Sequence, residues 1–434
     1  MAQPRHSGLM LVERVVVATE GRDRVLDSVK AGALVLVVVG HSLAWHVTPT
    51  GTATNILEVA PAMSVLTWLF QILPLFFAAG AVSNAASFRR HGTDGFLRIR
   101  TLRLTTPVVM YTLVWTVVLL PIVGWAAIAL GVGQFLAQLL WFAGVYLIVV
   151  AAVPLTVRWT SRPFVTIGLW AIVVVIIDVQ RVAGGPTAIS WLNLILVWGL
   201  LHQIGYYLPR LRDTARPVLV AGAAVAFASA VAMAIVGRYS RSLISVGADP
   251  RLSHLAPQSI VLLLYGSAQI LLLAALWPAL RRLLTRDRLW TAVAVVGARG
   301  MGIYLWHIPL VTLAVGLTLV SGLRPDPLSP TWWVLHVAVV IVVLPGAWWL
   351  AGVAGRGEAL LRRVPRLIAM PAVFVAVAAG VMILNISVTG FATWWGMGML
   401  GFPASAVLNL LILMALWQSA LGAGPAPPHR PPLR

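Results

Sequence analysis

Apolar stretches of about twenty residues recur along nearly the whole chain, and they constrain its fold more than any other feature. A helix that crosses the hydrocarbon core of a bilayer needs roughly 20 apolar residues. The 434 residues are 60% hydrophobic and only 10% charged, with a mean hydropathy of +0.93. This composition lies outside the range of soluble domains. The sequence therefore predicts an all-α, polytopic transmembrane helical bundle with no soluble domain left over.

About twelve spans are predicted, and they divide into a core of ten and a C-terminal extension of two. The membrane-embedded core covers 28–351, and the additional transmembrane segments cover 352–420. Residues 1–27 are predicted to form a cytosolic arm, because they are too charged for a cleavable signal. The Pro-rich tail, 421–434, is predicted to be disordered. The spans are 28–48, 62–86, 105–131, 137–157, 163–181, 188–208, 217–237, 257–279, 297–320, 331–351, 369–387 and 401–420.

The distribution of basic residues predicts the orientation of these spans. With the N-terminus in the cytosol, all but five of the 31 Lys and Arg residues fall on the inner side; the five are Arg181, Arg238, Arg241, Arg251 and Arg324. The positive-inside rule then places both termini in the cytosol of a multi-pass plasma-membrane protein. Because loop charge reports topology first, the net charge of +19 does not indicate a nucleic-acid partner.

Several kinds of chemistry are excluded by what the sequence lacks. There is no cysteine, so disulfides, thiolate metal sites and cysteine nucleophiles are excluded. No helix carries paired histidines at metal-ligand spacing, and no phosphate-binding Walker loop or serine elbow of the G-x-S-x-G type occurs. We therefore expect no metal.

The first span carries one polar edge in an otherwise apolar stretch. His41 lies deep in "SVKAGALVLVVVGHSLAWH", and Lys30 precedes it by 11 residues, about three helical turns, on the same face. Asp27 stays close to that stripe. An ionisable group at membrane depth marks a functional site by default. The alternative is a histidine bonded to a neighbouring helix, with the charged pair reaching the interface.

Two further groups of residues are candidates for chemistry. His307, in "GARGMGIYLWHIPL", is predicted near mid-depth with Tyr304 one turn away, although it could equally be a packing histidine. Arg98, Arg100 and Arg103 cluster in "SFRRHGTDGFLRIRTLRLTTP" on the cytosolic side. A guanidinium group can bind two phosphate oxygens at once through two parallel hydrogen bonds, so this cluster suits a nucleotide cofactor. The alternatives are topogenic charge and contact with anionic lipid headgroups.

Other polar or aromatic segments are expected to be structural. Asp178 and Arg181, near the outer end of their span, are more in keeping with structure than with chemistry. The segment "LLWFAGVYL", 139–147, predicts an interfacial aromatic anchor. The Gly-rich, aromatic segment between the last two spans could lie along the membrane interface.

Taken in order, five motifs resemble those of the acyltransferase-3 family of integral-membrane O-acyltransferases. They are "RDRVLDSVKAGALVLVVVGHS", "LPLFFAAGA", "RIRTLRLTTP", "LLWFAGVYL" and "GIYLWHIPL", and they cover about 25–310. The first motif puts His41 at the position of the family's essential histidine. Two residues depart from the family pattern: Lys30 stands where arginine is usual, and Ala79 stands where serine often precedes glycine.

The resemblance implies an acyl-CoA donor, commonly acetyl-CoA, that enters from the cytosol, and an acceptor hydroxyl on a carbohydrate or lipid. Arg100 and Arg103, with Arg98 beside them, would hold the donor phosphates. His41 would act as general base or carry the acyl group as an acyl-imidazole, and the sequence leaves both routes open.

Four further residues have supporting roles in this interpretation. Asp27 and Lys30 would hold the helix edge and the cofactor end. Tyr304, together with His307, would orient the acceptor or the oxyanion.

Two other classes of function stay open at this point. A secondary transporter also has twelve spans with both termini inside, and it would use buried histidines as proton relays. It would, however, spread its titratable residues over two related halves, whereas here they concentrate in the first nine spans. A non-catalytic envelope scaffold would leave His41 without a task.

Overall fold

The protein is described by a computed structural model that covers residues 12, 13, 15–237, 239–244 and 252–421. Apart from Leu421, the predicted Pro-rich tail lies outside the described residues, as do residues 1–11 of the predicted arm. The described chain is almost entirely helical, with a short antiparallel hairpin in which Trp45 pairs with Asn55. The predicted fold class, a polytopic helical bundle, is confirmed.

The helices and strands follow one another in this order: α1 (Arg24–Leu43), β1 (Trp45–Val47), β2 (Ala53–Asn55), α2 (Ile56–Val59), α3 (Ser64–Phe70), α4 (Leu73–Leu119), α5 (Ala126–Ala137), α6 (Leu140–Ala151), α7 (Val153–Thr156), α8 (Pro163–Val182), α9 (Thr187–Ser190), α10 (Asn193–Gly205), α11 (Leu208–Leu211), α12 (Arg216–Val236), α13 (Ile260–Leu283), α14 (Asp287–Ala298), α15 (Gly300–Ser321), α16 (Pro330–Leu361), α17 (Ala372–Thr389) and α18 (Ala406–Ala420).

Within the described residues, ten helices are long and apolar enough to cross a membrane. One of them, Pro61–Ile122, is 62 residues long and contains the second predicted span and most of the third, 105–131. Helix α18 is a shorter apolar helix of 15 residues at the place of the last predicted span. Since a helix rises about 1.5 Å per residue, α18 is shorter than the hydrocarbon core is thick. Together these helices account for the twelve predicted spans.

Helix α4 consists of two helical parts joined at Gly92. There φ is 66° and ψ is −175°, a backbone conformation that glycine adopts readily because it has no Cβ. The chain is helical on both sides, over 73–91 and 93–119. The segment predicted to link the second and third spans is therefore a bent helix, and Arg98, Arg100 and Arg103 lie on its second part.

The chain divides into two compact units, and unit 1 comprises 1–83 and 156–349. In unit 1, α12 lies along α13, and α1 packs against both α14 and α15. Helices come close where one of them has no side chain: a Cβ atom on Gly205 would lie 2.5 Å from the Cα atom of Ala78. Phe77, next to Ala78, stacks on the fully buried Trp198 with ring centroids 4.8 Å apart. Small residues thus allow the backbones to approach closely, as in other membrane bundles.

Unit 2 comprises 84–155 and 350–434. Its helix α17 packs against α6 and α18, so the two C-terminal helices belong to the same compact unit as the second part of α4. Unit 2 thus combines the predicted C-terminal segments with residues 84–155 of the predicted core, and the predicted division into domains stays a prediction. The segment 139–147 also differs from its predicted role as an interfacial anchor, because Leu140, Phe142 and Tyr146 are buried.

The segment between α17 and α18 is folded rather than extended. Asn385 holds it from one side: its Oδ1 accepts a hydrogen bond from the Met399 amide at 2.9 Å, and its Nδ2 donates to the Pro403 carbonyl at 2.9 Å. Trp394 and Trp395 are 68% and 75% exposed. The prediction that this segment lies along the membrane interface stays a prediction.

The described part of the loop between α12 and α13 is hydrogen-bonded to a buried ion pair of α8. The Arg181 NH2 atom lies 2.6 Å from Asp178 Oδ1, and the two side chains are 3% and 1% exposed. Arg181 also donates to the carbonyls of Ser253 and Pro257, at 2.8 and 2.9 Å. Asp178 Oδ2 accepts a hydrogen bond from the Tyr239 hydroxyl at 2.8 Å. These contacts are structural, as expected for this pair.

Candidate active site

Helix α1 carries three of the candidate site residues on one uninterrupted helix. The Asp23 side chain caps its first turn by accepting from the amides of Val25 and Leu26, at 3.1 and 3.2 Å. The helix ends at Leu43, five residues before the predicted end, because the chain turns there into the β1–β2 hairpin. His41 consequently lies in the last turn of the helix.

The position of His41 in the bundle follows from the stagger between α1 and α15. At its start, α1 is held by Arg24, which donates to the Leu284 carbonyl at 2.9 Å and lies 3.3 Å from Asp287 Oδ1. Near its end, His41 meets His307, the eighth residue of the 22 in α15. The two helices are thus offset by about ten residues, or roughly 15 Å. His41 therefore lies beside the first half of α15, although it is close to the end of its own helix.

The structure brings His41 and His307 into direct contact. The Nδ1 atom of His41 lies 3.0 Å from the Nε2 atom of His307, with ring centroids 5.2 Å apart and planes inclined by 22°. His307 is fully buried, whereas His41 is half-buried. On its other side, His307 Nδ1 lies 3.2 Å from the Ile303 carbonyl oxygen. The two histidines were single candidates in the sequence, and in the structure they form a pair.

Tyr304 lies beside this pair. Its ring centroid is 6.1 Å from that of His307, and the side chain is 8% exposed. The three candidate catalytic residues therefore occupy one region of unit 1. His41 comes from α1, and Tyr304 and His307 come from α15.

Lys30 and Asp27 contact parts of unit 1 nearer the start of α1. The Lys30 ammonium group donates to Ser83 Oγ at 2.6 Å, and Ser83 Oγ donates in turn to the Ala79 carbonyl at 3.2 Å. Asp27 forms an ion pair with Arg22 at 2.8 Å. These contacts tie the helix edge to α4 and to the segment that precedes α1. Their predicted role at the cofactor end stays a prediction.

The three candidate arginines belong to unit 2. Arg98 donates from NH1 to the Ser419 carbonyl at 3.1 Å, so it helps to satisfy the last turn of α18. The Arg100 guanidinium lies 5.9 Å from the Phe96 ring centroid, and Arg103 is exposed. A narrow crevice lined by Arg98, Thr101 and Ala372 has no room for a small-molecule ligand. The predicted role of the three arginines in holding donor phosphates stays a prediction.

Sequence reasoning missed two buried polar residues of unit 2. Asn84 is fully buried and its Nδ2 donates to the Tyr146 hydroxyl at 3.4 Å. Tyr146 lies in the "LLWFAGVYL" motif, so the motif itself was the available signal. The periodicity of an all-apolar helix does not tell which of its aromatic residues faces a polar partner.

A comparison with family models decides between the open classes of function. A model described as an acyltransferase domain, that of the acyltransferase-3 family, matches residues 23–352. The chain belongs to the acyltransferase-3 family. No curated protein and no solved structure matches it.

Family membership makes the protein a membrane-embedded O-acyltransferase. It does not support the transporter alternative. The matched region contains the two histidines, Tyr304 and the three arginines, whereas α17 and α18 lie beyond its end.

Proposed function

We propose that this acyltransferase moves an acyl group, with acetyl as the group to test first, from cytosolic acyl-CoA to a hydroxyl of an envelope glycan, a lipid or a glycosylated metabolite. The observation that carries the proposal is the contact between His41 and the buried His307. A half-buried imidazole that is oriented by a second imidazole is suited to proton transfer, because its geometry is fixed while one of its ring nitrogens remains free.

In this mechanism His41 is the general base. It removes the proton from the acceptor hydroxyl while the hydroxyl oxygen bonds to the carbonyl carbon of the thioester. The carbon–sulfur bond then breaks, and the leaving thiolate takes the proton from His41. The products are an ester and the free thiol of CoA, and the imidazole returns to its starting state. Tyr304, whose ring lies beside His307, is proposed to orient the acceptor or the oxyanion.

Acyl-CoA is proposed as the donor, and the basic residues of each unit support this choice. Arg100 and the exposed Arg103 carry guanidinium groups that suit phosphate oxygens. Arg98 is proposed to assist them, and its NH1 atom donates to the end of α18. Lys30, together with Asp27, is proposed to hold the edge of α1 and the cofactor end.

The enzyme is proposed to reside in the plasma membrane with both termini in the cytosol. The asymmetry of lysine and arginine between the two sides supports this orientation. A C-terminal fusion to green fluorescent protein, which fluoresces when it folds in the cytosol, is expected to be bright. A C-terminal fusion to alkaline phosphatase, which is active only outside the cytosol, is expected to be inactive.

The function is tested by incorporation of label from radiolabelled acetyl-CoA into membranes that contain the enzyme. We expect hydroxylamine-labile label, as in an ester, to accumulate with the wild type and to fall to background with His41→Ala. His91→Ala is the matched control, because His91 is an exposed histidine outside the candidate site. Wild-type incorporation by His41→Ala would exclude the mechanism. Label retained on the protein after an acid quench would identify the acyl-imidazole route.

A further inference from the structure

The relative orientation of the two imidazole rings identifies their contact as a hydrogen bond. The ring centroids are 5.2 Å apart while the nitrogens are 3.0 Å apart. This centroid separation is close to the largest that such a nitrogen–nitrogen distance allows, so both nitrogens lie on the line between the ring centres. With planes inclined by only 22°, the rings meet edge to edge. A nitrogen lone pair and an N–H bond both lie in the ring plane, so this arrangement is that of an N–H···N hydrogen bond.

The proton positions in this pair follow from the Ile303 carbonyl. A carbonyl oxygen can only accept, so His307 Nδ1, at 3.2 Å, carries a hydrogen and donates it. A neutral imidazole has one N–H, which leaves a lone pair on His307 Nε2. None of the ion pairs among the described residues includes either histidine, and a charged ring that is fully buried without a partner is costly. The neutral form of His307 is therefore the one the surroundings favour.

The proton of His41 is then fixed as well. Because His307 Nε2 offers a lone pair, His41 Nδ1 must donate to it across 3.0 Å. His41 therefore holds its hydrogen on Nδ1 and its lone pair on Nε2. In water, a free histidine side chain favours the opposite tautomer, with hydrogen on Nε2.

We propose that His307 is a positioning residue that holds His41 in the Nδ1–H tautomer, so that His41 Nε2 is the atom that takes the proton of the acceptor. This inference rests on the proposed function, and it assigns His307 a role in which it touches neither substrate. The Ile303 carbonyl, one turn back on α15, fixes the tautomer of His307, and His307 fixes that of His41. A chain of two hydrogen bonds thus sets the reactive nitrogen.

The same pair accommodates the proton during transfer. When the acceptor O–H bond breaks, a new N–H bond forms at His41 Nε2 and the ring becomes an imidazolium. Its Nδ1–H already points at the lone pair of His307 Nε2, so the positive charge is shared with a second ring. The proton returns from Nε2 to the departing thiolate, and both rings are neutral again. No further proton donor or acceptor is needed to balance the step.

Two variants of His307 test this role. His307→Gln can place its side-chain carbonyl oxygen as an acceptor for His41 Nδ1–H, whereas His307→Leu offers no acceptor. We expect Leu to lower kcat by about 10- to 100-fold, the range found when a partner that orients a metal-ligating histidine is removed, with the KM for acetyl-CoA changed by less than about twofold. Gln is expected to recover most of kcat. A residue needed only for packing would reduce the yield of folded protein with both variants and would not distinguish them.

The tautomer is read directly by solid-state NMR of the protein in lipid vesicles, with ring-labelled histidine. The signals that vanish in His41→Ala are expected to show the Nδ1–H form in the wild type and to lose it in His307→Leu. Equal kcat for Leu and Gln, or an Nε2–H signal for His41 in the wild type, overturns the inference. If His41→Ala keeps full activity, the proposed function fails instead, and the NMR result still reports on the pair.

Discussion

Gly144 of α6 faces Gly380 of α17 so closely that a Cβ atom on Gly144 would lie 2.7 Å from the Gly380 carbonyl oxygen and 2.8 Å from Leu384 Cγ. Two backbones therefore meet at this point without a side chain between them. The contact joins the region 84–155 of unit 2 to its C-terminal helices. It is one reason why those helices belong to that unit.

Gly144→Ala is expected to destabilise the enzyme even though alanine is the better helix former. The added methyl group has no room, and overpacking of this kind costs about 1–3 kcal/mol. Gly131→Ala in α5 is the matched control, since a Cβ there meets nothing within 4 Å. Thermal unfolding in detergent should show a lower Tm for the first variant and an unchanged or higher Tm for the second. Equal Tm values would contradict the close approach.

Lys30 is expected to act on the donor through its charge and on the fold through Ser83. Lys30→Met removes both the charge and the hydrogen bond to Ser83, whereas Ser83→Ala removes the hydrogen bond and keeps the charge. If the ammonium group serves the donor phosphates, Lys30→Met raises the KM for acetyl-CoA several-fold more than Ser83→Ala. Lys30→Arg should stay close to the wild type. Equal KM values for the Met and Ala variants would show that the residue is structural.

The buried pair of Asp178 and Arg181 is expected to matter far more for stability than the exposed pair of Arg22 and Asp27. Asp178→Asn leaves a buried guanidinium without its counter-charge, which costs about 3–5 kcal/mol. Arg22→Gln breaks a pair whose side chains are 44% and 20% exposed, and such pairs contribute about 0–1 kcal/mol. The measurement is again the Tm. Adding Arg181→Met to Asp178→Asn should restore part of the loss, because no unpaired charge then remains.

His254 is expected to make the loop between α12 and α13 less stable in acid. Burial lowers the pKa of His254 below its ordinary value of 6.5. The positive charge of Arg181 lowers the pKa further, while Asp178 and the hydrogen bond to the Ser240 carbonyl raise it in part. The unfolded chain then binds a proton at higher pH than the folded one. The contribution of His254 to stability is therefore complete above pH 6.5 and is lost as the pH falls toward the lowered pKa.

The corresponding measurement compares Tm at pH 7.5 and pH 5. The wild type should lose more Tm between these values than His254→Gln, whose side chain does not titrate. The comparison between variants removes the contribution of the other histidines. The same pH dependence in the two proteins would contradict the prediction, because it would show that the pKa of His254 is not lowered in the folded state.

Much of the fold follows from the sequence, because hydropathy and helix length alone define the spans. The positions of Asp27, Lys30 and His41 on one helix were predictable for the same reason. Helix ends were less predictable. Helix α1 ends at Leu43 because the β1–β2 hairpin follows, and this hairpin depends on the pairing of Trp45 with Asn55, ten residues further along the chain. The bend at Gly92 is likewise invisible to hydropathy, since both sides of it are helical.

The pairing of His41 with His307 was not predictable from local patterns. The two residues are 266 positions apart, and their contact depends on the stagger of α1 against α15, which is set by tertiary packing at the start of α1. His41 is the eighteenth residue of α1, whereas His307 is the eighth of α15. Matching the two helices from their first residues would therefore not have brought these histidines together. The burial of Tyr146 escaped prediction because α6 is apolar on every face, so its sequence does not mark which side meets Asn84.

The anchoring of α1 has a mechanical consequence. A continuous helix behaves as a stiff rod, so its two ends move together along the axis. Arg24 bonds to the Leu284 carbonyl and Asp287 at one end, and His41 lies seventeen residues away near the other end, about 26 Å along the helix. The position of His41 along the axis of α1, relative to His307, is consequently set by the contacts of Arg24 at the opposite end of the helix. Substitutions at Arg24 should therefore slow acyl transfer by displacing the imidazole of His41, although Arg24 does not contact it.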